Sequence, residues 1–458
     1  MSNTFLSNAL RAARETRSLE LGPGTLAQMP RVFREQFGDR AAVVVADENT
    51  WKAAGEAVAA ALRGAGIACE PCFVFKDPRL YAEHRFVEQL QSALRRHEAI
   101  PVAVGSGTIN DLTKLASHRT ERPYLCVATA ASMDGYTAYG ASITYHGSKQ
   151  TFFCPAPRAV VADLDILCAA PAEMSAWGYA DLLAKVPAGA DWIVADALGA
   201  EAMNSRAWEI VQGRLRESLD SPAAVRSGSA AAIGKLTAGL MLGGFAMQWA
   251  QSSRPASGAE HQFSHLWDMQ HHTHRGRAPS HGFKVGLGTL AATALYEELL
   301  RQPLERLEVE RCCQAWPELD ELVEQARALL VEEDLIKVAV EETRAKYADR
   351  AQLRSQLTLL RSLWPALRER LKEQLLPLDT VREKLQAVGA PTEPEQIGIS
   401  RERLRRTYWQ AYFIRRRFTV LDLAARTELL NPCLDRIFGP HGVWPILPET
   451  ATSGTRLA

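Results

Sequence analysis

Residues 100–112 read IPVAVGSGTINDL, and the fold class follows from how that stretch changes character. Ile100–Val104 is a short apolar run containing β-branched side chains, the mark of a buried strand. It runs straight into Gly105-Ser106-Gly107-Thr108-Ile109-Asn110-Asp111, and helical periodicity begins at Leu112. A strand, a glycine turn and a helix start bring unpaired backbone N–H groups and the positive end of a helix dipole to one point, where phosphate binds. Glycine there lets a diphosphate approach the backbone closely. The spacing departs from GxGxxG, and a purely structural turn accounts for it equally well.

Outward from this turn the same alternation repeats. Ala41–Ala46 is a strand candidate ending at Asp47, and an alanine-rich amphipathic helix follows over 51–63. Cys72–Phe75, Tyr124–Ala128 and Ala159–Ala162 are further strand candidates, with a helix over 83–98. Strands separated by helical patterns predict βαβ units and a parallel sheet. Asp47 stands where dinucleotide folds place an acid against a ribose hydroxyl, although an aspartate at a strand end also caps the helix that follows.

After Ala169 the texture becomes helical: 174–213, 227–250, 283–300, then a charged block over 317–388 with breaks expected at Pro365 and Pro377. Gly389–Pro394 reads as a turn, 400–430 as a last helical block, and 440–458 as a loose tail. The expected organisation is an α/β dinucleotide-binding domain over 1–169 and an all-helical domain over 170–458, with a ligand cleft between them.

Composition excludes several classes. The 458 residues carry 53 basic and 53 acidic side chains, which argues against a chain devoted to coating nucleic acid or an anionic membrane. Residues 1–21 have charges throughout and no signal-peptide core, so a cytoplasmic location is expected. The apolar run 236–250 is too short to span a bilayer and reads as a buried helix. Cys69 and Cys72 form a lone CxxC with Pro71 inside it and no second pair, so neither a redox motif nor a four-thiolate zinc site is expected. Cys312 and Cys313 read as buried helix positions.

Six of the eleven histidines (261, 265, 271, 272, 274 and 281) fall in one window. His261 and His265 are four apart and share a helix face, and His281 returns just before another helix. Two imidazoles from separate elements plus a carboxylate would form a three-ligand metal site with an open position. His271, His272 and His274, beside Arg275 and Arg277, read as a solvated loop. Asp181 is the carboxylate candidate, isolated in an apolar helical segment, and Lys185 one turn on offers it a plain ion pair.

These pieces, in this order, resemble the metal-dependent polyol dehydrogenase and dehydroquinate synthase superfamily, and within it the sn-glycerol-1-phosphate dehydrogenases. The residues that carry the resemblance are GSGTIND (105–111), TAASMDG (129–135), GSKQTFFCPAPRAVVADLDIL (147–167), YADLLAKV (179–186), SGAEHQFSHLWDM (257–269) and HGFKVGLGT (281–289). Residues 389–430 are similar to the C-terminal region of the longer, bacterial members. The resemblance implies a dehydroquinate synthase-like fold and a nicotinamide dinucleotide held by Asp47, Gly107, Thr108, Ile109, Asn110, Asp111, Thr129, Ala130, Ala131 and Ser132. It implies substrate contacts from Asp134 and His265, and one divalent metal (zinc, nickel or iron) on Asp181, His261 and His281, with Asp181 also near the substrate. Two positions depart from the family pattern: Ala180, where glycine is common, and Ala138, where a serine usually touches the cofactor.

The implied reaction is reversible hydride transfer between NAD(P)H and dihydroxyacetone phosphate, in a chain expected to form a homodimer. Lys149, Lys185 and Arg277 are the candidates for the substrate phosphate. The rivals are a polyol dehydrogenase indifferent to phosphate and a cyclising lyase without net redox. Nucleic-acid binding has one motive, the seven arginines of 401–417 interleaved with Tyr408, Trp409, Tyr412 and Phe413. Helical spacing instead puts those aromatics on one buried stripe flanked by arginines, with Glu308–Glu310 and Glu332–Asp334 as expected partners. Neither a nucleic-acid partner nor a membrane span is expected.

Overall fold

The computed structural model describes residues 3–145 and 148–447. Strands β1 (Ser18–Gly22), β2 (Ala42–Asp47), β3 (Phe73–Phe75), β4 (Ile100–Gly105), β5 (Leu125–Ala128) and β8 (Ala159–Asp163) form one parallel sheet in the order β1-β8-β5-β4-β2-β3. Strand β4 sits inside it, with Val45 opposite Ala103 on one side and Val102 opposite Leu125 on the other. Both faces are covered, which is why these strands read as unbroken apolar runs. Val44, Val102 and Val127 point toward α1 (Met29–Phe37) and α2 (Glu56–Gly64). Val45, Ala103 and Cys126 point toward α3 (His84–Leu94) and α4 (Gly107–Arg119). The strand order reverses between β2 and β4, so Asp47 and Gly105 end their strands at the crevice where such sheets take ligands.

Beyond Asp163 the described residues contain no further strand. Helices α5 (Ala172–Leu183), α6 (Lys185–Ala197), α7 (Ala230–Ala250), α8 (Ala259–Met269) and α9 (His281–Leu300) build the wall facing the sheet's C-terminal edge. Gly288 permits the close crossing of α9 on α8, since a Cβ there would run into the Glu260 backbone.

Several expectations need correction. Strand β1 and the antiparallel hairpin of β6 (Ala141–Tyr145) and β7 (Ser148–Phe152) were not foreseen; β1 is a half-buried edge strand and the hairpin stands off the main sheet. Helix α4 begins at Gly107, before Leu112, because the glycine turn is its first turn. The stretch 51–63 opens with a wide turn over Trp51–Gly55, where the Trp51 ring lies against Gly55. Pro365 breaks nothing: it sits inside α10 (Arg350–Gln374), exposed to water that can satisfy the carbonyl it leaves unpaired, while Leu353, Leu357, Leu360 and Trp364 hold the buried face. Helix α7 is 21 residues long and apolar enough to cross a membrane by length and composition, so length does not decide; 78% of its apolar window is buried inside the protein. The tail is not loose up to residue 447, since Trp444 is fully buried and its backbone N–H donates to Ile437 O at 3.0 Å. Residues 448–458 lie outside the described ones.

Candidate active site

A cleft of about 720 Å³ opens between the C-terminal edge of the sheet and the helical wall, lined among others by Gly107, Thr108, Asp134, His261, His265 and His281. The helical wall brings three ligand-type side chains together. Asp181 comes from the last turn of α5, His261 from the first turn of α8 and His281 from the start of α9, which Ser280 caps by accepting from the Phe283 N–H at 3.2 Å. One ligand atom from each lies within 4.8 Å of the others. His265 lies one turn beyond His261, its ring centroid 6.1 Å from His261 and 6.2 Å from His281.

The hydrogen bonds around His261 fix its chemistry. Its Nδ1 lies 2.8 Å from Glu260 Oε1, which also accepts from the Gly258 N–H at 2.6 Å. A carboxylate only accepts, so Nδ1 carries a proton, and Nε2, 3.6 Å from Asp181 Oδ1, is the atom left to take a cation once its own proton is off. The Ser264 hydroxyl lies 3.4 Å from His281 Nδ1. A carboxylate oxygen and two imidazole nitrogens from three elements form a borderline donor set that suits zinc, nickel or iron. These residues fit the divalent metal that the resemblance implies. Burial opposes protonation of His261, but its bonds to Asp181 and Glu260 prevail and raise its pKa.

Beneath the cleft lies a buried ion triad. Lys185 Nζ is 2.7 Å from Asp134 Oδ2 and 2.7 Å from Asp181 Oδ1, and the Asp134 N–H donates to Asp181 Oδ2 at 3.1 Å. Burial opposes the Lys185 charge, yet the two carboxylates hold the ammonium above its ordinary range. Burial would likewise raise Asp181, but Lys185 and then His261 hold it well below the usual carboxylate range. Burial, and then the Asp181 charge, push Asp134 up. The i,i+4 pair anticipated for Asp181 and Lys185 is present, and Asp134 shares it.

On the sheet side, Ser106 makes no side-chain cap for α4, and Gly107, Thr108 and Asp111 line the cleft. That leaves the first-turn N–H groups of a 13-residue helix without a side-chain cap, an arrangement that fits the phosphates of a dinucleotide. Ile109 and Asn110 point away: Ile109 fills the space beside Gly105, and Asn110 Nδ2 donates to Gly135 O at 3.2 Å. Thr129, Ala130, Ala131 and Ser132 form a buried loop after β5, its first N–H donating to Gly105 O at 3.2 Å. Asp47 takes the capping role, accepting from the Asn49 and Thr50 N–H groups at 2.8 Å each, and does not line the cleft. Ala138 lines it.

Two supporting residues escaped the sequence reading. Lys114, fully buried, donates to the carbonyls of Gly135, Ala138 and Gly140 at 2.9–3.0 Å and pins the loop that carries Asp134. Glu260 is the other, and the i,i+1 spacing to His261 gives no hint that their side chains meet. A Glu260→Gln variant keeps the shape but loses the charge that holds the ring, so metal affinity should fall about 10- to 100-fold. Titration against a chromophoric chelator, with the fold checked by circular dichroism, measures it.

The histidine loop and the arginine cluster both need correction. His271 is exposed, but His272 is buried, with Nε2 2.7 Å from Ile397 O and Nδ1 2.8 Å from Arg403. Tyr408, Tyr412 and Phe413 are buried, as the stripe required. Their arginines pair differently from expectation: Arg401 with Glu395, Arg405 with Asp435, and Arg416 with Glu341 and Glu342. Glu310 and Glu308 instead serve Arg354 and Arg311. Of the phosphate candidates, Lys185 is consumed by its two carboxylates, Arg277 is exposed and does not line the cleft, and the Lys149 side chain lies outside the described residues.

Asp191 shows what the long helical remainder does. It accepts from the Ala259 N–H at 2.7 Å, the Tyr296 hydroxyl at 2.6 Å and the Val420 N–H at 2.8 Å, joining α6, α8, α9 and α12 (Val420–Arg426) at one buried carboxylate. Burial, and then the Glu260 charge, lift it to about 7. Helix α11 (Arg401–Phe413) adds Tyr408 O–H to Ala291 O at 2.9 Å and Trp267 N–H to Thr407 Oγ1 at 3.2 Å. The C-terminal helices thereby clamp the two helices that carry the histidines.

The chain is similar to known dehydrogenases in sequence and in fold. A family model described as iron-containing alcohol dehydrogenase matches residues 20–171. A glycerol-1-phosphate dehydrogenase [NAD(P)+] of Halalkalibacterium halodurans is 35% identical over 298 residues, covering 65% of this chain and 74% of the relative. One from Geobacillus stearothermophilus is 30% identical over 404 residues, 88% of this chain and 90% of the relative. A probable glycerol dehydrogenase from Sinorhizobium meliloti shares the fold at a TM-score of 0.59 and 16% identity, over 91% of this chain and 96% of that one.

Proposed function

The chain belongs to the glycerol-1-phosphate dehydrogenase family and is an NAD(P)-dependent dehydrogenase; from that premise we propose that it interconverts dihydroxyacetone phosphate and sn-glycerol 1-phosphate with the help of one divalent metal. The observation that carries this reading is the convergence of Asp181, His261 and His281 across the cleft from the uncapped start of α4. In it residues 1–169 hold the dinucleotide, at Asp47, Gly107–Asp111 and Thr129–Ser132, and residues 170–458 hold the metal and substrate. A cytoplasmic location and a homodimer belong to the same reading.

A divalent ion on Asp181, His261 and His281 would supply Lewis acidity toward the substrate's C2 oxygen, as the dinucleotide supplies the hydride. The protein does the rest. Lys185 favours the charged forms of Asp134 and Asp181 and fixes both where two bare carboxylates would repel each other. Asp134, on the cleft wall and tethered through Lys185, orients the substrate hydroxyl groups. His265, half-buried one turn from His261, delivers the proton as the oxygen gains charge and withdraws it in reverse. The apolar walls around Met133, Ala138 and Met247 limit water near the reacting carbon.

The test is kinetic. With NADH and NADPH in parallel, the purified protein should reduce dihydroxyacetone phosphate about 30- to 150-fold more efficiently than dihydroxyacetone, since a charge-assisted phosphate contact contributes roughly 2–3 kcal/mol. Equal efficiency on the two ketones would favour the polyol dehydrogenase reading. No net consumption of reduced dinucleotide would favour the lyase.

A further inference from the structure

We propose that Arg415 is the residue that recognises the substrate's phosphate, an inference that rests on the function proposed above and adds the anion site it requires. Among the described residues lining the cleft, Arg415 is the only arginine or lysine. It also lines the adjoining cavity, and His265 and Thr151 are on both walls with it. Arg415 therefore stands where the cleft meets the adjoining cavity, a junction it shares with His265 of α8 and Thr151 of β7, two elements that pack on each other.

Its neighbours are tied down and it is not. Arg416 forks onto Glu342, with Nε and Nη2 at 2.6–3.1 Å from the carboxylate oxygens. Arg417 donates to Ser257 O at 2.6 Å and to Ser253 Oγ at 3.0 Å, and both serines line the cleft. Phe418 O accepts from Arg254 at 3.1 Å and the Val420 N–H is held by Asp191. Arg415 itself makes no hydrogen bond or ion pair among the described residues. It is half-buried, and burial weighs against its charge with only partial compensation from Glu342, whose carboxylate is engaged by Arg416. A loop braced on both sides thus presents one guanidinium, unpaired among the described residues, to a cleft whose other described lining groups are neutral, acidic or imidazole. A planar, always-charged fork is the side chain suited to bind a phosphate oxygen pair. Of the cations expected from the sequence whose side chains are described, Lys185 is spent on Asp134 and Asp181 and Arg277 is off the cleft.

The same guanidinium chemistry could serve the 2′-phosphate of NADPH, so the experiment separates the two sources. Wild type, Arg415→Ala, Arg415→Lys and Arg277→Ala are compared on dihydroxyacetone phosphate and dihydroxyacetone, each with NADH and NADPH, with melting temperatures recorded. Arg415→Ala should raise KM for the phosphorylated ketone about 100-fold, leave kcat/KM for dihydroxyacetone within about threefold, and abolish competition by inorganic phosphate. Arg415→Lys should recover part of the preference and Arg277→Ala should keep all of it. Should Arg415→Ala fold poorly, the lysine variant and the phosphate competition carry the same comparison. An undiminished phosphate preference in Arg415→Ala, an equal loss on both ketones, or a change confined to KM for NADPH would overturn the inference and leave the proposed function standing. A wild type that shows no phosphate preference would instead overturn the proposed function itself.

Discussion

Replacing His261 with alanine is expected to strip the protein of stoichiometric divalent metal and to lower kcat by roughly three orders of magnitude, the rate equivalent of the several kcal/mol that Lewis-acid assistance supplies. Dinucleotide affinity should stay within about threefold, because the α4 start that faces the phosphates lies on the other wall of the cleft. His261 is the cleanest of the three ligand candidates to remove. Its loss leaves the Asp134–Lys185–Asp181 triad intact, whereas removing Asp181 also strips Lys185 of a counter-charge. The same ring sets a pH dependence. His261 in the metal-free protein holds its proton above the ordinary imidazole value, and a cation must displace that proton, so metal affinity rises with pH. As pH falls, affinity should begin to weaken above about 6.5, the ordinary histidine value. Isothermal titration with zinc or nickel across pH 5.5–8 measures it.

The second large effect concerns stability. Lys185→Met should destabilise the protein by about 3–5 kcal/mol, because it leaves the buried Asp181 and the half-buried Asp134 facing each other without the charge that reconciles them. Asp181 has its pKa depressed in the fold by Lys185 and His261, so its contribution is present above the unfolded carboxylate pKa and is lost as pH falls through the lower folded value. Without Lys185 that depression shrinks, and the variant should gain stability relative to wild type as the medium is acidified toward pH 4. Denaturant unfolding at pH 7.5 and pH 4.5 gives both numbers. Added metal should raise the melting temperature of Lys185→Met more than that of wild type, since a cation on Asp181 replaces part of the missing charge.

The sequence made the sheet legible because its strands are buried on both faces and therefore write themselves as apolar runs. It was silent where burial is partial or where a partner is remote. Ser18–Gly22 is half-buried at the sheet edge, and the 141–152 hairpin packs outside the sheet, so neither has a period that stands out. His261, Asp181 and His281 could be named through the family resemblance, and the structure brings them together. Glu260, Lys114 and Arg415 could not be picked out. Glu260 acts on its immediate neighbour, Lys114 reaches carbonyls 21–26 residues away, and Arg415 stands out only by having no partner among the described residues while its neighbours do. Pro365 was misread because the rule against proline assumes a missing bond that must be satisfied by protein, and here it faces water. The purpose of the long C-terminal region was not in its composition at all. It appears only when Asp191, Tyr408 and Thr407 are seen gripping the helices that carry the histidines.

Turnover is expected to depend on a metal held by Asp181, His261 and His281. The direct measurement is elemental analysis of the purified protein, followed by chelation and stepwise metal return while dihydroxyacetone phosphate-dependent NADH oxidation is followed. Turnover rising in proportion to occupancy and saturating at one ion per chain, with His261→Ala showing neither ion nor turnover, is the predicted result. Full turnover in protein stripped of metal would contradict it, as would an ion that His261→Ala retains.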